Sequence, residues 1–308
     1  MIFVDCTFVK PARPQILFML LITPREFSFK LCLEFLKRSP KELLHQLRGE
    51  SVIKALRTGD EVVVFSVTAE EDALQIRFLA NEPGEPEKEM VSAYVREWFD
   101  LDTDLKPFYA MAEKDRLLKD LVNRFYGYRI VGQPDLFESL IWAVLGQQIN
   151  LGFAYTLKQR FVKTFGERLA LDEQEFFLFP SPETVALISA DQLLPLQFSS
   201  QKSRYTLAIA EAFADGTLSK EKLRDVPLQE AKHHLMKIKG IGNWTANYAL
   251  MKTFHHPDAF PLEDAGVHNA IRNLKKLGHK PTLAEVTRIF KKYKGWEAYA
   301  TLYLWKSL

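Results

Sequence analysis

Residues 236–250, MKIKGIGNWTANYAL, set Gly240 and Gly242 one residue apart between two stretches that both read as helix. Leu228 to Lys237 predicts one helix and Asn243 to Phe254 the next, leaving only IKGIG to reverse the chain. Glycine lacks Cβ and enters the left-handed region freely, so KGIG can turn tightly with its N–H groups facing outward at a helix N-terminus. Such a turn makes a nest for one anionic oxygen. A lone glycine pair is more often a plain helix-helix connection. Its meaning therefore rests on its neighbours, WTANYAL directly after the turn and, a short loop later, FPLEDAG at 260–266.

Around the hairpin the pattern is helical. LFESLIWAVLGQQI (136–149), AYTLKQRFVKTFG (154–166), SRYTLAIAEAFADG (203–216) and LAEVTRIFKKY (283–293) each space apolar residues three and four apart. Two of them stop at Gly166 and Gly216, and Ser181-Pro182 and Thr282 with Glu285 supply helix starts. From Lys106-Pro107 onward the chain reads as one compact all-helical, two-lobed region, residues 111–308.

The first 110 residues differ. FSFKLCLEF (27–35) alternates Phe27, Phe29, Leu31, Leu33 and Phe35 with polar or small residues, which predicts a half-buried strand. EVVVFSVT (61–68) and ALQIRFL (73–79) predict two more, and KEMVSAYVREWF predicts a helix. The connections are too short for crossovers, so the sheet is expected to be antiparallel within an α+β domain. ILFMLLI (16–22) reads as a strand or as part of a loosely attached leader over 1–22, and is too short to span a bilayer.

The 308 residues, 47% hydrophobic and 26% charged, are enough for a substantial core in more than one domain. Two cysteines, Cys6 and Cys32, exclude a disulfide framework and point to a reducing, cytoplasmic setting. The net charge of +2 is unevenly spread: residues 228–308 hold 13 Lys and Arg against 6 Asp and Glu, whereas the first 227 hold 28 against 33. The basic end is the candidate polyanion surface. Six of seven histidines follow residue 232, but the adjacent pairs His233-His234 and His255-His256 point to different helix faces and lack carboxylates at ligand spacing. They read as solvated surface residues.

LMKIKGIGNWTANYALMKTF followed by DAFPLEDAGVHNAI resembles the helix-hairpin-helix with trailing aspartate of the DNA glycosylase superfamily, in particular the AlkA-like 3-methyladenine DNA glycosylase II branch. LFESLIWAVLGQQIN, SSQKSRYTLAIAEAFADG, with its lysine before a long helix, and WEAYATLYLW resemble further segments of that family. The resemblance covers residues 110–308, with an N-terminal domain of the expected kind. It implies a monofunctional enzyme of base-excision repair that everts a damaged base from duplex DNA and hydrolyses its N-glycosidic bond.

The family's aspartate falls on Asp264, where a carboxylate would stabilise the oxocarbenium-like sugar and could also cap the next helix; Glu263 is its neighbour. Trp244, Tyr248 and Trp296 match the aromatic positions of the base pocket, suited to a cationic methylpurine. Gly240, Gly242 and Thr245 would hold a phosphate, Gln148 would fill the gap left by the everted base, and His268 could reach the DNA backbone. The resemblance further implies that the carbonyls of Met236, Ile238 and Ile241 can hold a monovalent or divalent cation when DNA is bound, and that no organic cofactor is required. Bifunctional relatives place a Schiff-base lysine just after the hairpin where this chain has Trp244, and the four-cysteine cluster of some relatives is absent. The expected partner is duplex DNA bearing damaged bases, bound by a monomer with no membrane contact. The alternatives are a glycosylase-lyase and a hairpin module that only binds DNA.

Overall fold

The computed structural model describes residues 18–80 and 82–308. Its N-terminal part runs β1 (Phe18–Ile22), α1 (Phe29–Leu36), β2 (Gln46–Arg48), β3 (Ser51–Thr58), β4 (Glu61–Glu70), β5 (Ala73–Phe78) and α2 (Glu85–Trp98). The five strands form one antiparallel sheet in the order β1-β5-β4-β3-β2. The strands expected at 61–68 and 73–79 are β4 and β5, and residues 18–22 of the 16–22 run are the edge strand β1. Residues 1–17, which hold Cys6 and most of the expected leader, lie outside the described residues.

The strand expected at 27–35 is instead α1. The segment carries both periods, because Cys32 and Leu36 add a helical stripe to the alternating apolar residues. The buried positions Phe29, Cys32, Leu33 and Leu36 follow the helical spacing, and the Ser28 hydroxyl caps the helix by accepting from Leu31 N. α1 and α2 cover the inner face of the sheet, with Val52, Phe65, Val67, Leu74 and Ile76 fully buried against them. Burial pushes the Cys32 thiol up to about 12, which keeps it protonated and unreactive.

The second part runs α3 (Lys106–Ala112), α4 (Lys119–Arg124), α5 (Leu136–Gly146), α6 (Leu151–Phe165), β6 (Glu167–Leu171), β7 (Gln174–Leu178), α7 (Pro182–Ala186), α8 (Ala190–Leu193), α9 (Ser200–Ala214), α10 (Lys220–Leu223), α11 (Leu228–Met236), α12 (Asn243–Phe254), α13 (Ala265–Leu274), α14 (Leu283–Phe290) and α15 (Glu297–Lys306). The region is mostly but not wholly helical: β6 and β7 form a hairpin. Phe176 of β7 packs on Ile53, Ala55 and Val64, so this hairpin covers part of the outer face of the N-terminal sheet. The expected caps are present, Ser181 for α7 and a reciprocal Thr282–Glu285 box for α14.

A buried ion network also joins the two parts. Lys158 Nζ on α6 donates to Glu138 Oε1 on α5 at 2.9 Å and to Glu42 Oε2 after α1 at 3.1 Å. Burial alone would raise the Glu42 carboxyl, but the Lys158 ammonium and the Leu44 N–H outweigh it and hold it at about 2. Burial likewise pulls the neighbouring His45 down to about 4. Both depressed values destabilise in acid: the unfolded chain takes up the His45 proton below about 6.5 and the Glu42 proton below about 4.5, before the folded chain does. Thermal unfolding is therefore expected to shift downward from pH 6.5 to pH 3. The Glu42 share is on the order of 3 kcal/mol, and Glu42→Gln should flatten the part below pH 4.5. A melting temperature constant from pH 6 to 4 would contradict this account.

Candidate active site

An open cleft of about 1460 Å³ is bounded by the α5–α6 turn, the α11–α12 hairpin, the start of α13 and the end of α15. That exceeds the roughly 300–1,000 Å³ of a small-molecule pocket and suits a site taking a base with its backbone. Asp264 lines it. It is the N-cap of α13, with extended backbone, and its Oδ1 accepts from Val267 N at 2.9 Å. Two indoles also donate to this carboxylate, Trp305 Nε1 to Oδ1 at 2.8 Å and Trp244 Nε1 to Oδ2 at 3.1 Å. Three N–H donors fix the group while it stays half-exposed to the cleft. A Cβ on Gly266 would come within 2.9 Å of Asp264 Oδ1 and 3.0 Å of Trp305 Cδ1, so the small residue keeps this contact open. Glu263 is turned aside and accepts from Asn243 Nδ2 with both oxygens at 3.0 Å.

Aromatic side chains continue the wall from Asp264. Trp244 and Tyr248, one turn apart on α12, stack at 5.2 Å and 18°. The Tyr248 hydroxyl accepts from Trp142 Nε1 on α5 at 3.0 Å, and Trp142 lies 4.7 Å from the Tyr155 ring on α6. The FPLED loop that delivers Asp264 is tied to α12 by Phe260 N donating to Asn247 Oδ1 at 3.1 Å.

The hairpin forms the rim. Gly240 has φ +97, and a Cβ there would sit 2.2 Å from the Tyr205 ring of α9, so glycine is needed for conformation and for packing. Gly242 faces open space as the N-cap of α12. The N–H groups of Asn243, Trp244 and Thr245 have no acceptor among the described residues, the arrangement that favours an anion. The Thr245 hydroxyl is used internally: Gln147 Nε2 donates to it at 3.1 Å and to Gly240 O at 3.2 Å. The Thr245 backbone N–H is unpaired and available to a phosphate. Gln148, next to Gln147, is exposed at the rim in a left-handed conformation, φ +58.

The turn bearing Gln147 and Gln148 is held by Lys202. This is the lysine of SSQKSRYTLAIAEAFADG, and its Nζ donates to Val144 O, Leu145 O and Gln147 O at 2.8, 2.9 and 2.8 Å. A cation thus caps the C-terminus of α5, where Leu145 O and Gln147 O have no other donor among the described residues and Val144 O shares with the Gln147 N–H at 3.2 Å. Burial pulls the ammonium down to about 8.

Two expected site residues lie elsewhere. Trp296 precedes α15 and packs on Phe108 and Tyr299 in the core at 5.9 and 6.1 Å. The aromatic that reaches Asp264 from this helix is Trp305, nine residues on, which a helix turns to roughly the opposite side. His268 is buried with Nδ1 2.8 Å from Pro281 O and Nε2 3.0 Å from Leu262 O, so it fastens the loop before α13 and is not offered to DNA. The histidines at 255 and 256 are not solvated either. His255 ends α12 with φ +54, its side chain 10% exposed beside Asp100, and burial lowers both imidazoles. Among the described residues no group of three His, Cys, Asp or Glu side chains could hold a metal.

Known proteins share both the sequence and the architecture. Residues 19–140 match the 8-oxoguanine DNA glycosylase N-terminal domain, and residues 141–295 match the HhH-GPD superfamily base excision DNA repair proteins. The DNA-3-methyladenine glycosylase of Bacillus subtilis is 39% identical over 288 residues, 92% of this chain and 95% of that protein. The DNA-3-methyladenine glycosylase 2 of Escherichia coli is 30% identical over 58% of this chain and 60% of its own. The 3-methyladenine DNA glycosylase of Archaeoglobus fulgidus superposes with a TM-score of 0.80 at 23% identity, covering 94% of this chain and 97% of that one, a likeness of fold. A helical hairpin with unpaired N–H groups, an aspartate capping the next helix and an aromatic cleft between them thus occur in a chain that belongs to the HhH-GPD superfamily of base excision DNA repair proteins and is a DNA glycosylase.

Proposed function

We propose that the chain hydrolyses the N-glycosidic bond of alkylated purines, 3-methyladenine among them, in duplex DNA, as a monomeric, cytoplasmic, monofunctional glycosylase. The observation that carries this reading is Asp264, fixed by two indole N–H groups and a helix N-cap at the mouth of an aromatic cleft. The N–H groups at the start of α12 would hold a phosphate beside the lesion, and the everted base would stack on Trp244 and Tyr248. As the bond to the base breaks, positive charge grows on the sugar, and the Asp264 carboxylate stabilises it. Gln148 would occupy the space the base leaves in the duplex. The names of the Bacillus subtilis and Escherichia coli relatives, both 3-methyladenine glycosylases, support the alkylated-base reading.

The hairpin fits a cation that would help seat DNA. The carbonyls of Met236 and Ile241 receive no hydrogen bond from the described residues, while Ile238 O receives only Ile241 N at 3.1 Å. Bare carbonyl oxygens suit a hard cation, which would hold the turn against the backbone and take no part in bond cleavage.

Strand cleavage needs a free amine near the sugar. Lys237 and Lys239 are exposed on the hairpin, outside the cleft wall. Lys252, the lysine that does line the cleft, donates to Val131 O and lies 4.6 Å over the Phe35 ring. Alkylated duplex DNA is accordingly expected to yield free 3-methyladenine with an intact abasic strand, and no covalent adduct on borohydride treatment. A borohydride-trapped adduct would replace this reading with a glycosylase-lyase; DNA binding without base release would replace it with a binding module.

A further inference from the structure

The far end of the cleft is closed by the N-terminal domain, and it carries a cation. Arg38 follows α1, and its Nε donates to the Tyr155 hydroxyl. Its guanidinium carbon lies 3.9 Å over the Phe35 ring, 5.4 Å from Tyr155 and 5.8 Å from Trp142. Three aromatic faces therefore hold the head in place of a carboxylate. The nearby Glu42 is occupied by Lys158 and by the Leu43 and Leu44 N–H groups. Neither Nη of Arg38 has a hydrogen-bond or ion-pair partner among the described residues, and Arg38 is an exposed residue that lines the cleft. Contacts connect it to the reacting end through Tyr155, Trp142, Tyr248 and Trp244 to Asp264.

We infer that Arg38 determines specificity by reading the edge of the everted base. An open guanidinium fork donates to paired acceptors, the arrangement by which arginine engages O6 and N7 of a purine. A neutral 6-oxopurine such as hypoxanthine presents both acceptors. A cationic 3-methyladenine presents an amino donor at position 6 and carries a like charge. Arg38 thus opposes the preference for cations that the aromatic wall alone would impose. This rests on the glycosylase reading above and adds a selection rule to it.

The test compares single-turnover release of hypoxanthine and of 3-methyladenine from otherwise identical duplexes by the wild type and by Arg38→Met, which keeps the apolar stem over Phe35 and removes charge and donors. The expected result is a loss of roughly 10- to 100-fold on hypoxanthine, the range of one bidentate contact, with release of 3-methyladenine unchanged or faster. Equal losses on both substrates would make Arg38 structural or a backbone contact and overturn the inference. So would an unchanged ratio, or a wild type that releases 3-methyladenine and no hypoxanthine. A wild type that releases neither base sinks the glycosylase reading itself. Should Arg38→Met fail to fold, Arg38→Lys, which keeps the charge and loses the fork, is read the same way and is expected to lose on hypoxanthine alone.

Discussion

Asp264→Asn is expected to bind duplex DNA nearly as well as the wild type and to release methylated bases roughly 10²- to 10³-fold more slowly, or not detectably. The scale is that of removing one preorganised group aimed at developing charge. Asparagine caps helices as well as aspartate, so its oxygen should keep the Val267 N–H and Trp305 Nε1 that Oδ1 now accepts. The amide nitrogen must then face Trp244 Nε1, donor against donor, where Oδ2 now accepts at 3.1 Å. Two effects are thus combined: the charge is lost and the indole is pushed aside. Asp264→Asn with Trp244→Phe separates them, because phenylalanine has no N–H to oppose. If the double variant stays as slow as the single, the missing charge is responsible. If it recovers most of the rate, the carboxylate mattered for placing Trp244. A fully active Asp264→Asn would transfer the role to another group, Glu263 first.

Lys202→Met should lower stability by about 2–5 kcal/mol, at about 1–3 kcal/mol for each buried carbonyl left unpaired, and the melting temperature by roughly 10 °C. The Leu145 and Gln147 carbonyls would lose their donor at once, while Val144 O keeps the Gln147 N–H at 3.2 Å. The damage should not stay in the core. Gln147 hangs from that same helix end and ties it to the hairpin through Gly240 O and the Thr245 hydroxyl. DNA affinity and base release should therefore fall at temperatures where the variant is still folded, measurable by fluorescence anisotropy at about 15 °C, well below that melting range. A melting temperature within about 2 °C of the wild type would mean that water replaces the ammonium without penalty.

The elements most legible in the sequence are those whose local signals stand alone. The glycine turn, the helices on either side of it and the capping box at Thr282 are each announced by residues within their own segment. The failures share a different cause. FSFKLCLEF alternates cleanly over 27–35, yet Phe29, Cys32, Leu33 and Leu36 also lie at helical spacing, and Ser28, acting as a cap, selects the helix. The β6–β7 hairpin has five-residue strands whose burial is decided by the sheet they rest on. Trp296 and Trp305 both belong to an aromatic-rich closing segment, and which one faces the cleft depends on how α15 is rotated against α13. Arg38 lies more than two hundred residues from Asp264, and no spacing rule connects them; the fold alone brings them to one cleft. Lys202 is visible in the sequence as a lysine before a helix, yet its task on three carbonyls of another helix is a tertiary fact.

Gly240 leads to a point about interchangeability. The turn KGIG looks portable, a short cassette that could be moved between scaffolds with its phosphate grip intact. Its first glycine is nevertheless shaped by the Tyr205 ring, which fills the place where a Cβ would lie, while Gln147 takes the carbonyl on the other side. The cassette is therefore cut to fit two helices far away in the chain. Anyone transplanting it, or recombining homologous halves of such enzymes, would have to carry α9 and the end of α5 along, or receive a hairpin of the right sequence and the wrong curvature.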